Sequence, residues 1–233
     1  MDLPKDKNDG NITLAAAEDL LVRGLNMLGF SPEGSQVDQC MIYLKEIGRW
    51  NGKVRLVSDP APGTVVIRHI LDSLSVREPL ELLDIHALAD VGSGGGFPGV
   101  PLAIMYPQLK VLLVERKTGK AVFLRSILSL LGIQERVEVF EGDVRDVPEG
   151  YPLVLTRAFK PISKAYTLLK GLLPEEGGTL LFYGGTRRRI DEEIEILRKE
   201  NNDLPQIQVT PLSVPYLEEE RSAVLFDCGP RLR

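Results

Sequence analysis

Ala89-Asp90-Val91-Gly92-Ser93-Gly94-Gly95-Gly96-Phe97-Pro98-Gly99 is an apolar run that breaks into glycines, and the apolar-periodic Val100-Pro101-Leu102-Ala103-Ile104-Met105 resumes behind it. The pattern reads as strand, tight turn and helix. Such a turn takes positive φ and lets the backbone approach a ligand with no Cβ in the way, while free N–H groups at the helix start attract polar or anionic groups. It is a nucleotide-cofactor loop, and two frames overlap in it: Gly94 to Gly99 satisfies GxGxxG, and Gly92 to Gly96 satisfies GxGxG.

The frames imply different cofactors. A dinucleotide fold expects an acidic residue about twenty positions on to bind ribose hydroxyls, and Glu115 meets that requirement, so an NAD-dependent oxidoreductase is one reading. Two details favour S-adenosylmethionine. Asp90 sits inside the strand end, where dinucleotide folds usually hold an apolar residue, and a further acidic turn, Glu141-Gly142-Asp143-Val144, follows the third strand.

Outward from the loop, the chain alternates strand and helix. Strands are expected entering Asp90-Val91 and at 110–115, 137–140, 153–156 and 179–183, with helices after Gly99, over 121–131 (capped by Gly132), between the fourth and fifth strands, and over 190–199. Two last runs, 207–214 and 223–227, pair as an antiparallel hairpin. Such βαβ alternation gives a mostly parallel sheet with right-handed crossovers and a ligand crevice at the carboxyl ends of the strands. Ahead of the sheet, Leu14, Leu20, Leu21, Leu25 and Leu28 recur at helical spacing before Gly29 and Pro32, a second helix is expected over 35–50, and a third over 65–74.

The chain has 233 residues, of which 43% are hydrophobic, enough for one α/β domain with a helical extension. A net charge of -5 argues against bulk electrostatic binding of naked nucleic acid, while a local basic patch stays compatible with an RNA or ribonucleoprotein substrate. Lys45, Arg49, Lys53 and Arg55, with Arg116, Lys117 and Lys120, are candidates for such a patch; Arg187-Arg188-Arg189 reads equally well as a solvated helix start. Cys40 and Cys228 form no metal motif and read as buried, reduced residues, and no metal site is expected. The polar start, Met1 to Gly10, lacks the pattern of a secretory signal, and no apolar run reaches the ~20 residues of a membrane span, so a cytoplasmic protein is expected.

Several motifs together are highly specific: Arg49-Trp50-Asn51, Arg68-His69-Ile70-Leu71-Asp72-Ser73-Leu74, the glycine loop continuing to Val100-Pro101-Leu102-Ala103, Thr156-Arg157-Ala158-Phe159, and Glu220-Arg221 before the last strand. With them the chain resembles the RsmG/GidB family, the bacterial small-subunit (16S) ribosomal RNA guanine-N7 methyltransferases. The resemblance implies a Rossmann-like, seven-stranded class I SAM-dependent methyltransferase sheet over residues 81–233, behind a helical N-terminal extension over 1–80. It implies S-adenosylmethionine as cofactor, small-subunit ribosomal RNA or a ribosomal particle as partner, and no membrane; a monomer is expected. Cofactor contacts are expected from Gly92, Gly94, Gly96 and Phe97 in the loop, Glu115 on the ribose, Asp143, Val144 and Arg145 on the adenine side, and Arg157. Arg157 and His69 are the candidate catalytic residues. Two departures stand out: Arg55 replaces an asparagine of the usual WNxxxNLT, and Phe182-Tyr183-Gly184-Gly185 stands where the fifth strand usually ends in Leu-Lys-Gly, which removes a lysine.

The slot after the fourth strand, Thr-Arg-Ala-Phe, suits the implied target. Guanine N7 presents an in-plane lone pair and no proton, so its methylation needs alignment and neither an amine acceptor nor a general base. A cationic donor such as Arg157 suits acceptor atoms such as guanine O6 or a phosphate oxygen, and Phe159 offers a stacking face or a core aromatic. A methyltransferase-like RNA-binding protein without turnover is the third reading, suggested by the lysine missing near Gly184.

Overall fold

The structure, a computed structural model, describes residues 11–229. The expectation of a polar leader without a secretory signal, on residues 1–10, lies outside them. Seven strands form one sheet: β1 Ala87–Val91, β2 Lys110–Glu115, β3 Val137–Glu141, β4 Leu153–Arg157, β5 Thr179–Gly184, β6 Gln206–Leu212 and β7 Arg221–Asp227. Their order is β3-β2-β1-β4-β5-β7-β6. The first five run parallel, and β7 pairs antiparallel with both β5 and β6. The strand order reverses between β1 and β4, which opens a crevice at their carboxyl ends.

Alternation along the strands divides the interior into two cores. Leu88, Val111, Leu113, Leu153, Leu155 and Leu181 turn toward one; Ala89, Leu112, Val114, Val154, Leu180 and Phe182 turn toward the other. This is the period-2 side-chain pattern of a sheet covered on both faces.

The first core also holds α1 (Leu14–Met27), α2 (Gly34–Asn51), α6 (Gly99–Met105) and α7 (Thr118–Leu131), while α8 (Ile162–Lys170) and α9 (Arg187–Glu200) cover the second. The amino-terminal helices therefore share a core with the sheet, through residues such as Leu21, Leu25, Tyr43 and Ile47. Their ends follow from local chemistry. The Thr13 hydroxyl accepts from Ala16 N at the start of α1, Glu33 and Gln36 form a capping box on α2, and Gly132 closes α7 in the left-handed conformation at φ 69°.

Between α2 and β1 the structure differs from the expected single helix. Pro62–Val65 (α3) passes into a π-helical stretch, Val66–Leu71, and then into the short α4, Asp72–Leu74. A further short helix, α5 Arg77–Leu82, was not expected; Pro79 lies in its first turn, where a missing N–H costs little. The assignment of both cysteines to the interior needs correction. Cys40 is fully buried, which pushes its thiol up to about 12, but Cys228 lies past the end of β7 and is only half-buried.

Candidate active site

Buried carboxylates hold the glycine loop from behind. Asp90, fully buried at the end of β1, accepts from Gly99 N through Oδ2 (2.9 Å), fixing the start of α6. At the end of β2, Glu115 accepts from Gly94 N through Oε2 (2.9 Å) and from Lys117 N through Oε1 (2.8 Å). The loop's outer side leans on the segment after α2: Asn51 Oδ1 accepts from Leu56 N (2.8 Å) and Val57 N (2.9 Å), and Leu56 packs against Gly95. The Trp50-Asn51 motif is thus a buttress for the loop, and Tyr43 adds a hydroxyl that donates to the Gly95 carbonyl.

A cavity of about 580 Å³ opens in front of this loop at the strand ends. It gathers Gly92, Gly94, Glu115, Asp143, Val144 and Arg145 from the expected cofactor set, together with Lys117, Lys120 and Phe159. The residues suit S-adenosylmethionine. A Cβ on Gly94 would meet nothing nearer than Lys120 Nζ at 3.6 Å, so the missing side chain leaves a cradle, at a φ of 60° that L side chains rarely adopt. Glu115 keeps spare lone pairs on both oxygens for ribose hydroxyls, and Val144 gives an apolar floor. Asp143 is engaged by Arg145 through Nε (2.8 Å) and Nη2 (3.1 Å), and these hydrogen bonds hold its carboxyl well below the usual range.

The remaining expected cofactor residues lie elsewhere. Gly96 is buried behind the loop against Val100, Tyr43 and Leu124. Phe97, 4% exposed, stacks on His69 with ring centroids 4.9 Å apart and lies beneath the Arg157 guanidinium at 5.2 Å. Arg157 faces a second cavity of about 590 Å³, lined also by His69, Asp72, Tyr183, Arg189 and Arg221. Ala158, Phe159 and Lys160 line both cavities, which meet there. Ala158 takes a left-handed φ of 55°, between Arg157, which lines the second cavity alone, and Phe159, which lines both. The Phe159 ring lies against Gly92, where a Cβ would fall 2.7 Å from its Cδ2.

Arg157 is tied down on three sides. Its Nη1 donates to Asp72 Oδ2 (2.8 Å) and to the Arg68 carbonyl (3.1 Å), and Nη2 lies 3.0 Å from His69 Nδ1. Since a guanidinium can only donate, His69 Nδ1 is the acceptor and the neutral ring carries its proton on Nε2. Burial, then the charges of Arg157 and Arg68, push His69 down to about 3, so it stays neutral at physiological pH. Asp72 and Ser73, close to His69 in sequence, do not hold its ring. Instead the ring partner is Arg157; Asp72 holds Arg157, and the Ser73 hydroxyl donates to the His69 backbone carbonyl. Tyr183, in place of the usual lysine, donates to the Ser73 carbonyl (2.6 Å). His86 is exposed and away from both cavities.

Asp90 and His69 give the site two opposed pH dependences. Burial pushes Asp90 up to about 7 from 3.8, against the lowering effects of Gly99 N, Arg157 and Ser93, with Glu115 adding to the rise. Between those values the unfolded chain loses the proton and the folded chain keeps it, so stability falls as pH rises through the window. For His69, about 3 folded against 6.5 unfolded, stability falls as pH drops below 6.5. Each slope is at most about 1.4 kcal/mol per pH unit, and they oppose each other between about pH 4 and 6.5. Relative to wild type in urea unfolding, Asp90→Asn should gain stability as pH rises from 4 to 6.5 and His69→Gln should lose it. Difference curves of the same sign would contradict the assignment.

The basic candidates come together partly. Val54 packs against Gly119, with Cγ2 3.4 Å from where a Cβ would be, so exposed Lys53 and Arg55 lie beside Arg116, Lys117 and Lys120 at the first turn of α7. Among the described residues none of these five has an ion pair, whereas Arg49 pairs with Glu46 at 3.3 Å. Arg187, Arg188 and Arg189 pair with Asp191, Glu192 and Glu193 one helical turn on, as a solvated helix face does.

The comparisons agree with this geometry. The family model described as rRNA small subunit methyltransferase G matches residues 36–224. A protein from Leptothrix cholodnii named Ribosomal RNA small subunit methyltransferase G is 32% identical over 210 residues, covering 88% of this chain and 93% of that protein. A Burkholderia cenocepacia protein of the same name is 33% identical, with 88% and 89% covered. Among solved structures, a predicted O-methyltransferase from Agrobacterium tumefaciens superposes with TM-score 0.54 at 20% identity over 70% of this chain and 82% of that one. A tRNA methyltransferase from Aquifex aeolicus gives 0.53 at 16% identity over 69% of each chain, and these two likenesses bear on the fold alone.

Proposed function

Because the chain belongs to the rRNA small subunit methyltransferase G family, we propose that it transfers the methyl group of S-adenosylmethionine to N7 of a guanine in small-subunit ribosomal RNA. One observation supports the division of labour: the two cavities on either side of the β1/β4 switch meet at Ala158-Phe159-Lys160, which line both, so a donor in one would lie next to an acceptor in the other. Family membership displaces the NAD reading of the GxGxxG frame.

The cofactor supplies, when bound, an electrophilic methyl on a sulfonium. Gly94 would give it backbone approach, next to Gly92, which the Phe159 ring covers; Glu115 would take ribose hydroxyls, and Asp143, Val144 and Arg145 would border its adenine. In the neighbouring cavity Arg157 and Phe159 orient the base, Arg157 by donating to acceptor atoms and Phe159 by its ring face. As the N7–C bond forms the C–S bond breaks, and no proton leaves N7. That is consistent with a site whose histidine is neutral and already hydrogen-bonded to an arginine. Rate then comes from alignment and exclusion of water rather than from general-base chemistry.

On this reading the protein works in the cytoplasm, as a monomer, with Lys53, Arg55, Arg116, Lys117 and Lys120 meeting RNA phosphates. The test is incubation with labelled S-adenosylmethionine and small subunits lacking the modification, followed by mapping of the labelled nucleotide. Label at N7 of one guanine is expected; no transfer would favour the RNA-binding reading without turnover. Reversing charge at Lys53 and Arg55 together should weaken subunit binding about tenfold or more at moderate salt and flatten its salt dependence, since each lost phosphate contact removes roughly one unit of slope. Calorimetric affinity for the cofactor should not change, because neither residue lines its cavity. Loss of both affinities, or of neither, would count against the patch.

A further inference from the structure

Asp72 heads α4 directly behind the π-helical stretch, and its side chain is 7% exposed. It faces two arginines from different strands. Oδ2 accepts from Arg157 Nη1 at 2.8 Å, at the end of β4, and Oδ1 lies 3.3 Å from Arg221 Nε, at the start of β7. The second contact is an ion pair without hydrogen-bond alignment, so Oδ1 is held by charge alone. Both guanidinium groups line the second cavity. Arg157 spends its other donors on the Arg68 carbonyl and His69 Nδ1, which leaves Nε–H and one Nη2–H unused.

Around Asp72 the cluster therefore holds two cations against one anion, with His69 neutral; of the cavity's other charges Arg68 pairs with Glu219 and Arg189 with Glu193, and Lys160 adds a further cation. Methylation of an unprotonated ring nitrogen moves positive charge from the donor sulfur onto the acceptor base. A surplus of cations beside that base opposes the transfer, and a carboxylate in the same low-dielectric pocket favours it. The two functions of the pocket conflict: donors must be cationic to read acceptor atoms, yet charge arriving on the base is cationic too.

We propose that Asp72 is a positioning residue of the transfer, a buried carboxylate that clamps Arg157 and Arg221 side by side in the acceptor cavity and offsets their charge against the charge arriving on the base. This rests on the methyl-transfer reading above. It also gives the Asp of the His69-Ile70-Leu71-Asp72-Ser73 motif a role separate from that of the histidine.

The test is single-turnover methyl transfer, at saturating cofactor and subunit, by wild type, Asp72→Asn, Asp72→Glu and the double variant Asp72→Asn/Arg221→Gln. For Asp72→Asn the rate should fall about 100-fold, the order expected when a preorganised partner of a reacting charge is removed. Cofactor affinity should stay within about twofold, since Asp72 does not line that cavity. Asp72→Glu, which keeps the charge, and the double variant, which restores the charge count, should each recover at least about tenfold of the loss. A merely structural role predicts no such recovery and a weakened cofactor affinity, and either result overturns the proposal. Should Asp72→Asn not fold, the double variant decides: transfer within about tenfold of wild type supports the proposal, and a slower rate overturns it. Wild type without transfer overturns the methyl-transfer reading and this inference with it, whereas active wild type with Asp72→Asn at the same rate overturns this inference alone.

Discussion

Glu115→Ala is expected to lower affinity for S-adenosylmethionine by at least about 100-fold, because charge-assisted hydrogen bonds to two ribose hydroxyls contribute about 1.5 kcal/mol or more each. The carboxylate is 7% exposed, and each oxygen is already aimed by a backbone amide, Gly94 N on one and Lys117 N on the other. It meets a ligand with its rotamer fixed, so little ordering entropy is spent on binding. Glu115→Gln should fall between wild type and alanine, since an amide can satisfy one backbone N–H while turning its own donors toward the other. Calorimetry with the cofactor measures the affinity and thermal unfolding measures the loop. Unchanged affinity with a lowered unfolding midpoint would reduce Glu115 to a loop anchor and leave the ribose unassigned.

Gly96→Val should cost more than about 4 kcal/mol of stability and leave little folded protein, because it combines a strained backbone with overpacking. Gly96 has φ 94°, which a β-branched residue does not adopt without strain. Its Cβ would lie 2.7 Å from Val100 Cγ2, 2.9 Å from the Tyr43 hydroxyl and 3.1 Å from Leu124 Cδ2, so α6, α2 and α7 would all have to move. Gly132 supplies the comparison: φ there is 69° with nothing within 4 Å of the added carbon, and Gly132→Ala should cost only about 1–2 kcal/mol, the left-handed penalty alone. Urea midpoints separate the two cases. Equal losses would show that the space around Gly96 is not what fixes its identity.

The order of the strands and of the helices between them was legible because the strands carry apolar runs and α1 and α7 run out at Gly29 and Gly132; α5 was not. Gly132 and the Gly92-to-Gly99 loop are local signals that tertiary contacts do not override. The paired state of Arg187, Arg188 and Arg189 was also open to reading, since Asp191, Glu192 and Glu193 follow each of them by four. What escaped was set by distant residues. Asp72 meets Arg157 and Arg221 from other strands, far along the chain, and no spacing rule connects them. The π-helical stretch over Val66–Leu71 has the apolar pattern of an ordinary helix, so its extra residue per turn is silent in sequence. Phe97 belongs to the same class. The family resemblance implied a cofactor contact for it, while its ring is held by His69, Tyr43 and Arg157.

The left-handed turn at Ala158 has a kinetic consequence. It lies where two cavities meet, each open to solvent. With donor and acceptor placed as proposed, each has its own door, and neither needs to pass the other on the way in or out. A site with a single entrance would impose an order of arrival and trap the first product behind the second. Under that proposal the layout leaves the sequence of encounters to concentration and affinity, and the spent donor has its own exit while the acceptor is still bound.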